Sequence, residues 1–416
     1  MSRAPRVEAS AGSLPTLLAV VFVDLLGFSL ILPLLPFYAD TFGASPTVVG
    51  LLVASYAAAQ LVGAPLLGTL SDRFGRRPVL ILSILGTALG FLVFGLATTL
   101  WLLFASRMLD GLTGGNISVA QAYIADVSPP EKRTRNFGLI GAAFGLGFII
   151  GPAMGGFLSR WGFAVPAFVA AGMATLNAVA VWIFLPESLP RSERSGSAAA
   201  SARPRPRGWR HLKEGDRAGG LLWIRFWFAL AFVTFQTIFA LWAQYRLGLN
   251  AEQTGYILGY VGVLIVVVQA GIVGPVSRRY REGPVILTAI VLMSVALAAW
   301  AFAPSVPVLM MIQFPIALAG GLFGATANSA ISRAVLPHEI GGVLGIGASL
   351  ESVTRALAPS LGGVLLGRIG TWAPGVFASV ILVLLFPFAL TALRRPSPEA
   401  YAGRPNPMPA EQPGSG

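Results

Sequence analysis

The sequence predicts an all-α membrane protein of twelve transmembrane helices in two pseudo-symmetric six-helix bundles, and three observations carry that prediction. The chain is 55% hydrophobic and only 11% charged, against about 25% charged for an ordinary soluble domain. Uncharged apolar runs of bilayer length recur from end to end, and without water to satisfy backbone polar groups such runs are helical. The two halves also repeat. Gly68, Ser71, Arg73, Pro78 and Val79 return as Gly274, Ser277, Arg279, Pro284 and Val285, 206 positions later. Gly114-Gly115 returns as Gly320-Gly321 at the same offset, and Pro152, Gly155 and Gly156 return as Pro359, Gly362 and Gly363 at 207.

Twelve spans fit, at 14–38, 47–70, 78–98, 100–124, 136–158, 163–185, 220–244, 252–275, 284–303, 306–331, 341–366 and 373–393. The start resembles a signal peptide, with Arg3 and Arg6 before an apolar run, but that run continues to Tyr38 and reads as an uncleaved first span. Residues 1–189 are expected to form one six-helix bundle and 219–395 the other. Between them, 190–218 is rich in Ser, Ala, Pro and Arg and reads as a flexible, basic cytoplasmic linker. The tail 396–416 is rich in Pro and Gly and reads as disordered.

Orientation follows from Gly68–Pro78, which sets Arg73, Arg76 and Arg77 between two uncharged apolar runs. Short loops rich in Lys and Arg stay in the cytoplasm. On this map 23 of the 29 Lys and Arg residues fall on cytoplasmic segments, three (Arg160, Arg246, Arg368) on external loops and three within spans. A net charge of +12 is therefore a topology signal and not a nucleic-acid footprint. Both termini are placed in the cytoplasm, in a multi-pass protein of the cell membrane. The chain has no cysteine, which excludes disulfides and thiolate metal sites. No G-x-x-x-x-G-K-[ST] loop is present, which disfavours ATP drive. No cofactor, metal or enzymatic chemistry is expected.

A charge at the bilayer centre costs at least about 2.5–3.5 kcal/mol, so each one marks a functional position. Asp24, Asp110 and Glu351 each lie about ten residues into a span, roughly 15 Å deep. Arg107 is three residues from Asp110 and Arg355 four from Glu351, spacings that put each pair on one helix face. Arg225 is shallower and is expected to snorkel to the interface. His211 and His338 fall on loops, so an intramembrane proton carrier must be a carboxyl group. In the first half two acids face one arginine, and a desolvated carboxyl without a basic partner can take up and release a proton near neutral pH. Asp24 and Asp110 are the candidates, tuned by Arg107, with Glu351 and Arg355 as the second-half pair. Gly147, Gly151 and Gly155 form a smooth stripe at spacing four, beside Pro152 and Gly156, expected to permit a close, bendable contact between halves.

These residues together resemble the major facilitator superfamily. Gly68-x-Leu70-x-Asp72-Arg73-x-Gly75-Arg76-Arg77 matches its loop 2–3 signature, and Gly147 to Gly156 matches the fifth-span G-x-x-x-G-P-x-x-G-G of antiporter members. Arg107 to Gly111 is similar to its fourth-span R-x-x-q-G element. Asp24 to Gly27 with Pro33 to Pro36, and Ala122 to Asp126, resemble tetracycline and other drug:proton antiporters. The resemblance implies a proton-coupled exporter of a drug-like or amphipathic small molecule, working by alternating access as a monomer in the lipid bilayer. Export of a sugar, metabolite or lipid, or a receptor without transport, are the alternatives.

It further implies a substrate cavity lined by the first, fourth, seventh and tenth spans, with Phe28, Asn116, Gln236 and Gln313 as candidates. A cationic substrate would suit the unpaired acid. The family pattern also implies a cytoplasmic gate of Gly68, Asp72, Arg73, Gly75, Arg76 and Asp126 that latches the outward-open state. Asp72 would meet the start of the eleventh span near Gly341, where a helix N-terminus carries about half a positive charge. The second copy has Arg278 where the first has Asp72, so the latch is expected on one side only.

Overall fold

The computed structural model describes residues 13–189, 210–336 and 339–395. Most of the expected linker, the tail 396–416, Arg3, Arg6 and His338 lie outside the described residues. The described chain is all helix, without a sheet. The first half comprises span 1 (Ser13–Ile31, then Leu35–Asp40), span 2 (Pro46–Phe74), span 3 (Arg76–Gly95), span 4 (Leu100–Thr113, then Asn116–Val127), span 5 (Pro130–Leu158) and span 6 (Ala164–Phe184). The second half comprises span 7 (Arg217–Leu247), span 8 (Ala251–Val268, a π-helical turn Gln269–Val273, then Gly274–Arg279), span 9 (Glu282–Ala301), span 10 (Val306–Arg333), span 11 (Ile340–Arg368) and span 12 (Ala373–Leu393).

Ten helices among the described residues are long and apolar enough to cross a membrane. The two remaining spans differ for local reasons. Span 11 carries Glu351 and Arg355 in a glycine-rich helix. Span 4, expected to run unbroken over 100–124, is interrupted at Gly114-Gly115. There spans 2 and 4 cross almost backbone to backbone: a Cβ on Gly63 would stand 2.2 Å from the Leu112 carbonyl oxygen, and one on Gly111 2.3 Å from that of Tyr56. Span 1 also breaks, around Pro33, before its expected end at residue 38.

Side-chain caps start several helices by satisfying amides that have no partner within the helix. Ser45 caps span 2, Thr99 span 4, and Asn250 with Gln253 closes a reciprocal cap on span 8. Gly75 ends span 2 at φ +108°, a conformation that side chains with a Cβ avoid. The outward faces are apolar as well: Leu176 is 71% exposed and Leu384 69%, as suits helices meeting lipid on one side and protein on the other.

The two halves pack alike. Span 1 lies against 5 and 6, span 3 against 4 and 6, and span 2 against 4; span 7 lies against 11 and 12, span 9 against 10 and 12, and span 8 against 10. Across the halves, span 2 packs on span 11 and span 5 on span 8.

Candidate functional site

Both crossings between halves are glycine contacts near the face opposite the arginine-rich loops. A Cβ on Gly50 would stand 2.3 Å from the Pro359 carbonyl oxygen and 3.1 Å from the Gly363 Cα; one on Gly255 would stand 2.4 Å from the Pro152 carbonyl oxygen and 2.9 Å from the Gly156 Cα. Only glycine lets the backbones meet so closely. Polar pairs lock the same face: Arg160 with Glu252, and Gln244 donating to the Asp40 carboxylate at 2.9 Å. Toward the arginine-rich face the halves diverge. Added Cβ atoms at Gly138, Gly141 and Gly145 on span 5, Gly271 and Gly274 on span 8, and Gly341 and Gly345 on span 11 would meet nothing within 4 Å.

The expected contact between halves is not made by the glycine stripe. Gly147, Gly151 and Gly155 face span 1 inside their own half, against Leu25, Ser29 and Leu30, and Ser29 Oγ donates to the Gly147 carbonyl at 2.7 Å. Contact with span 8 falls instead to Ile149, Pro152, Ala153 and Gly156. A spacing of four selects a helix face, but not which neighbour that face meets.

Between the halves lies a cavity of about 410 Å³. Its walls are mostly apolar, with phenyl rings of spans 5, 7 and 10 among them, including Phe148, Phe228, Phe232 and Phe323. Gln236 and Gln313 both line it. Gln313 is fully buried, and neither end of its amide has a hydrogen-bond partner among the described residues. Phe28 stands behind the wall, 5.2 Å from the Tyr56 ring and 6.5 Å from that of Phe148.

The charged lining of the cavity is Glu351, Arg225 and Arg355, and its pairing corrects the expectation from spacing. Glu351 does not pair with Arg355 on its own helix. Arg225 Nε donates to Glu351 Oε1 at 2.8 Å, and Arg225 also donates to Asn328. Arg225 therefore turns inward and does not snorkel. Sequence reasoning placed it by depth alone, although its long side chain can span from span 7 to span 11. Arg355 has no carboxylate within ion-pair distance among the described residues and is exposed on the cavity side.

The first-half acids lie off the cavity. Arg107 Nη1 donates to Asp110 Oδ2 at 3.2 Å, with Asp110 2% and Arg107 4% exposed. The guanidinium packs 4.8 Å from the Phe94 ring centroid and 5.6 Å from that of Phe91, leaving Nε and Nη2 without acceptors. Asp24 faces Asp110 and lies beside Asn116, while its Oδ1 has no partner among the described residues. Asn116, expected on the substrate path, is buried in this acid cluster because it opens the second helix of span 4 beside Asp24. Tyr56 packs on Phe28, with ring centroids 5.2 Å apart, between this cluster and the cavity wall. Neither Tyr56 nor Gln60, which donates to Tyr56 at 3.0 Å and to the Gly114 carbonyl at 2.9 Å, was visible as a site residue in sequence.

At the arginine-rich face, Gly75 reverses the chain so that Arg76 reaches Asp72 at 2.5 Å, Asp126 at 3.1 Å and Ser71 at 2.7 Å. Glu187, after span 6, accepts from the Arg76 amide at 2.8 Å. Arg73 stays exposed, and Gly68 faces open space. Among the described residues Asp72 makes no polar contact with span 11. The expected approach to Gly341 is absent because this face is open.

A cavity between two like-packed halves, sealed at one face and open at the other, defines a secondary transporter that works by alternating access. Comparisons agree on the class. The Major Facilitator Superfamily profile matches residues 17–283 and 270–413. The tetracycline resistance protein, class H, of Pasteurella multocida is 30% identical over 414 residues, covering 94% of this chain and 99% of that protein. A bacterial homologue of the human lysosomal transporter Spinster, solved inward-facing and unoccupied, superposes with a TM-score of 0.74 at 15% identity, covering 93% of this chain and 98% of that one. The human organic anion transporter MFSD10 superposes with a TM-score of 0.66 at 23% identity, covering 93% and 100%. The chain belongs to the major facilitator superfamily.

Proposed function

We propose that the protein exports an amphipathic, drug-like organic molecule in exchange for protons, with its arginine-rich face and both termini in the cytoplasm. One observation carries the proton coupling: Asp24 faces Asp110, and Arg107 pairs with Asp110, which leaves Asp24 without a basic partner among the described residues. Two carboxylates cannot both stay ionised there against one cation, so one site exchanges a proton. Arg107 holds whichever acid is charged. Naming of the class H relative for tetracycline resistance supports a drug-like cargo.

The cavity supports a refinement of the substrate. Its phenyl rings supply apolar area, and Gln236 and the unpartnered Gln313 supply orientation. With Glu351 held by Arg225, Arg355 is the free charge, and it favours a substrate carrying an acidic group rather than a cation. The description of MFSD10 as an organic anion transporter agrees with that choice. The test is uptake into proteoliposomes under an imposed pH gradient, with a panel of acidic, neutral and cationic amphipathic compounds. Asp24→Asn and Asp110→Asn are expected to lose uphill transport while retaining exchange. Uphill transport by both single variants would sink the assignment.

A further inference from the structure

The loop between spans 8 and 9 repeats the loop between spans 2 and 3, but its charges are handled differently. In the first copy two of the three arginines are engaged internally, Arg76 by Asp72, Asp126 and Ser71, and Arg77 by the Trp182 carbonyl, while Arg73 stays exposed. In the second copy Arg278 replaces Asp72 and Arg281 replaces Gly75. Among the described residues, Arg278, Arg279 and Arg281 have no carboxylate within ion-pair distance, and nearby Glu282 is taken by Arg333 at 3.4 Å and by Ser329.

These side chains surround a cavity of about 800 Å³, completed by Arg217 from the start of span 7, Ser329 and Arg333 from the end of span 10, and Leu393 from the end of span 12. Five arginines line it against one glutamate. The Arg217 Nε is buried without an acceptor among the described residues, which is unfavourable until a ligand supplies one. Spans 9 and 12 pack on one another and rise from this cavity with outward apolar faces: Val295 is 63% and Leu384 69% exposed. A basic cavity at the foot of a lipid-facing surface fits a molecule with an anionic head and apolar chains.

We propose that this pocket binds the phosphate group of an anionic membrane lipid, with its acyl chains along spans 9 and 12. Guanidinium groups pair with phosphate oxygens through two parallel hydrogen bonds each, and Tyr280, exposed on the same loop, lines the pocket beside them.

The experiment is native mass spectrometry of the purified full-length protein titrated with phosphatidylglycerol or phosphatidylcholine. Phosphatidylglycerol adducts are expected in preference. The double variant Arg278→Gln/Arg279→Gln should weaken them at least about tenfold, whereas Arg246→Gln/Arg368→Gln, the same charge loss on the opposite face, should leave them unchanged. Single Arg281→Gln repeats the test with a smaller perturbation of the loop. Equal adducts in all variants, or no preference between the two lipids, would overturn the proposal. Displacement of the lipid by millimolar inorganic phosphate would reassign the pocket to soluble phosphate and overturn the lipid reading.

Discussion

Arg225 of span 7 donates to Glu351 of span 11 across 2.8 Å, although Arg355 stands one turn from Glu351 on its own helix. The bond joins two packed helices at the wall of the central cavity. A double-mutant cycle of Arg225→Gln with Glu351→Gln, read by thermal unfolding in detergent, should show a coupling of about 1.5 kcal/mol. The matching cycle of Arg355→Gln with Glu351→Gln should show almost none. Equal couplings would return Glu351 to its same-helix neighbour.

Under the proposed function, Arg355 is the cavity charge left to meet the substrate. Arg355→Gln should raise KM for an acidic amphipathic compound about tenfold, the value of one charge-assisted hydrogen bond, with little change for a neutral analogue. Transport kinetics on a matched pair of compounds check this. An equal effect on both would mean that Arg355 serves only the fold.

The seal depends on two glycine crossings. Gly255→Ala places a methyl group 2.4 Å from the Pro152 carbonyl oxygen, and such overpacking costs about 1–3 kcal/mol in the sealed state. Gly50→Ala acts in the same way at the other crossing. The chain has no cysteine, so Thr41→Cys with Arg246→Cys accepts a pair of distance labels at that face. Either alanine should lengthen the distance between labels by populating the alternative conformation. An unchanged distance distribution would contradict a glycine seal.

Removal of Arg107 leaves Asp110 buried without a cation. Arg107→Gln should therefore destabilise the protein by about 3 kcal/mol, and Arg107→Gln/Asp110→Asn should recover most of that loss. Thermal unfolding of the two variants reads the difference, and neither should couple transport to a pH gradient.

The loop copies differ in kind. Asp72 holds Arg76 at 2.5 Å, whereas Arg278 has no carboxylate partner among the described residues. In phosphatidylcholine vesicles Asp72→Asn should slow transport about tenfold, the scale of one charged hydrogen bond, and Arg278→Asn should have little effect. Similar losses in the two would show that the loop acts only through its positive charge.

Much of the site was legible because its signals are local. Asp110 and Arg107 share a helix face three residues apart, and the structure sets them at 3.2 Å. The acids of the first half stood out because charge is rare in an apolar span. Other features depended on distant partners. Nothing in the spacing of Glu351 and Arg355 reveals that an arginine 126 residues away reaches the carboxylate first. Asn116 was legible as a polar residue in a span, but its place beside Asp24 arises from the break at Gly114-Gly115, which reorients the second helix of span 4. The glycine stripe was legible as a smooth face, while its partner, span 1 for Gly151 and span 8 for Gly156, was not.

The sequence by itself determined that this chain is helical and lies within a membrane, that it is a doubled unit, and where its few intramembrane charges fall. Those properties follow from hydropathy, from repeat offset and from the cost of charge in hydrocarbon, all read along one strand of sequence. Tertiary structure alone decided which charges meet, which helix each glycine face receives, and which end of the cavity is sealed. An alternating-access carrier has one sequence for both of its conformations, so the open face belongs to packing and cannot be written in composition. Partner choice is likewise set by the reach of side chains between helices brought together only by folding.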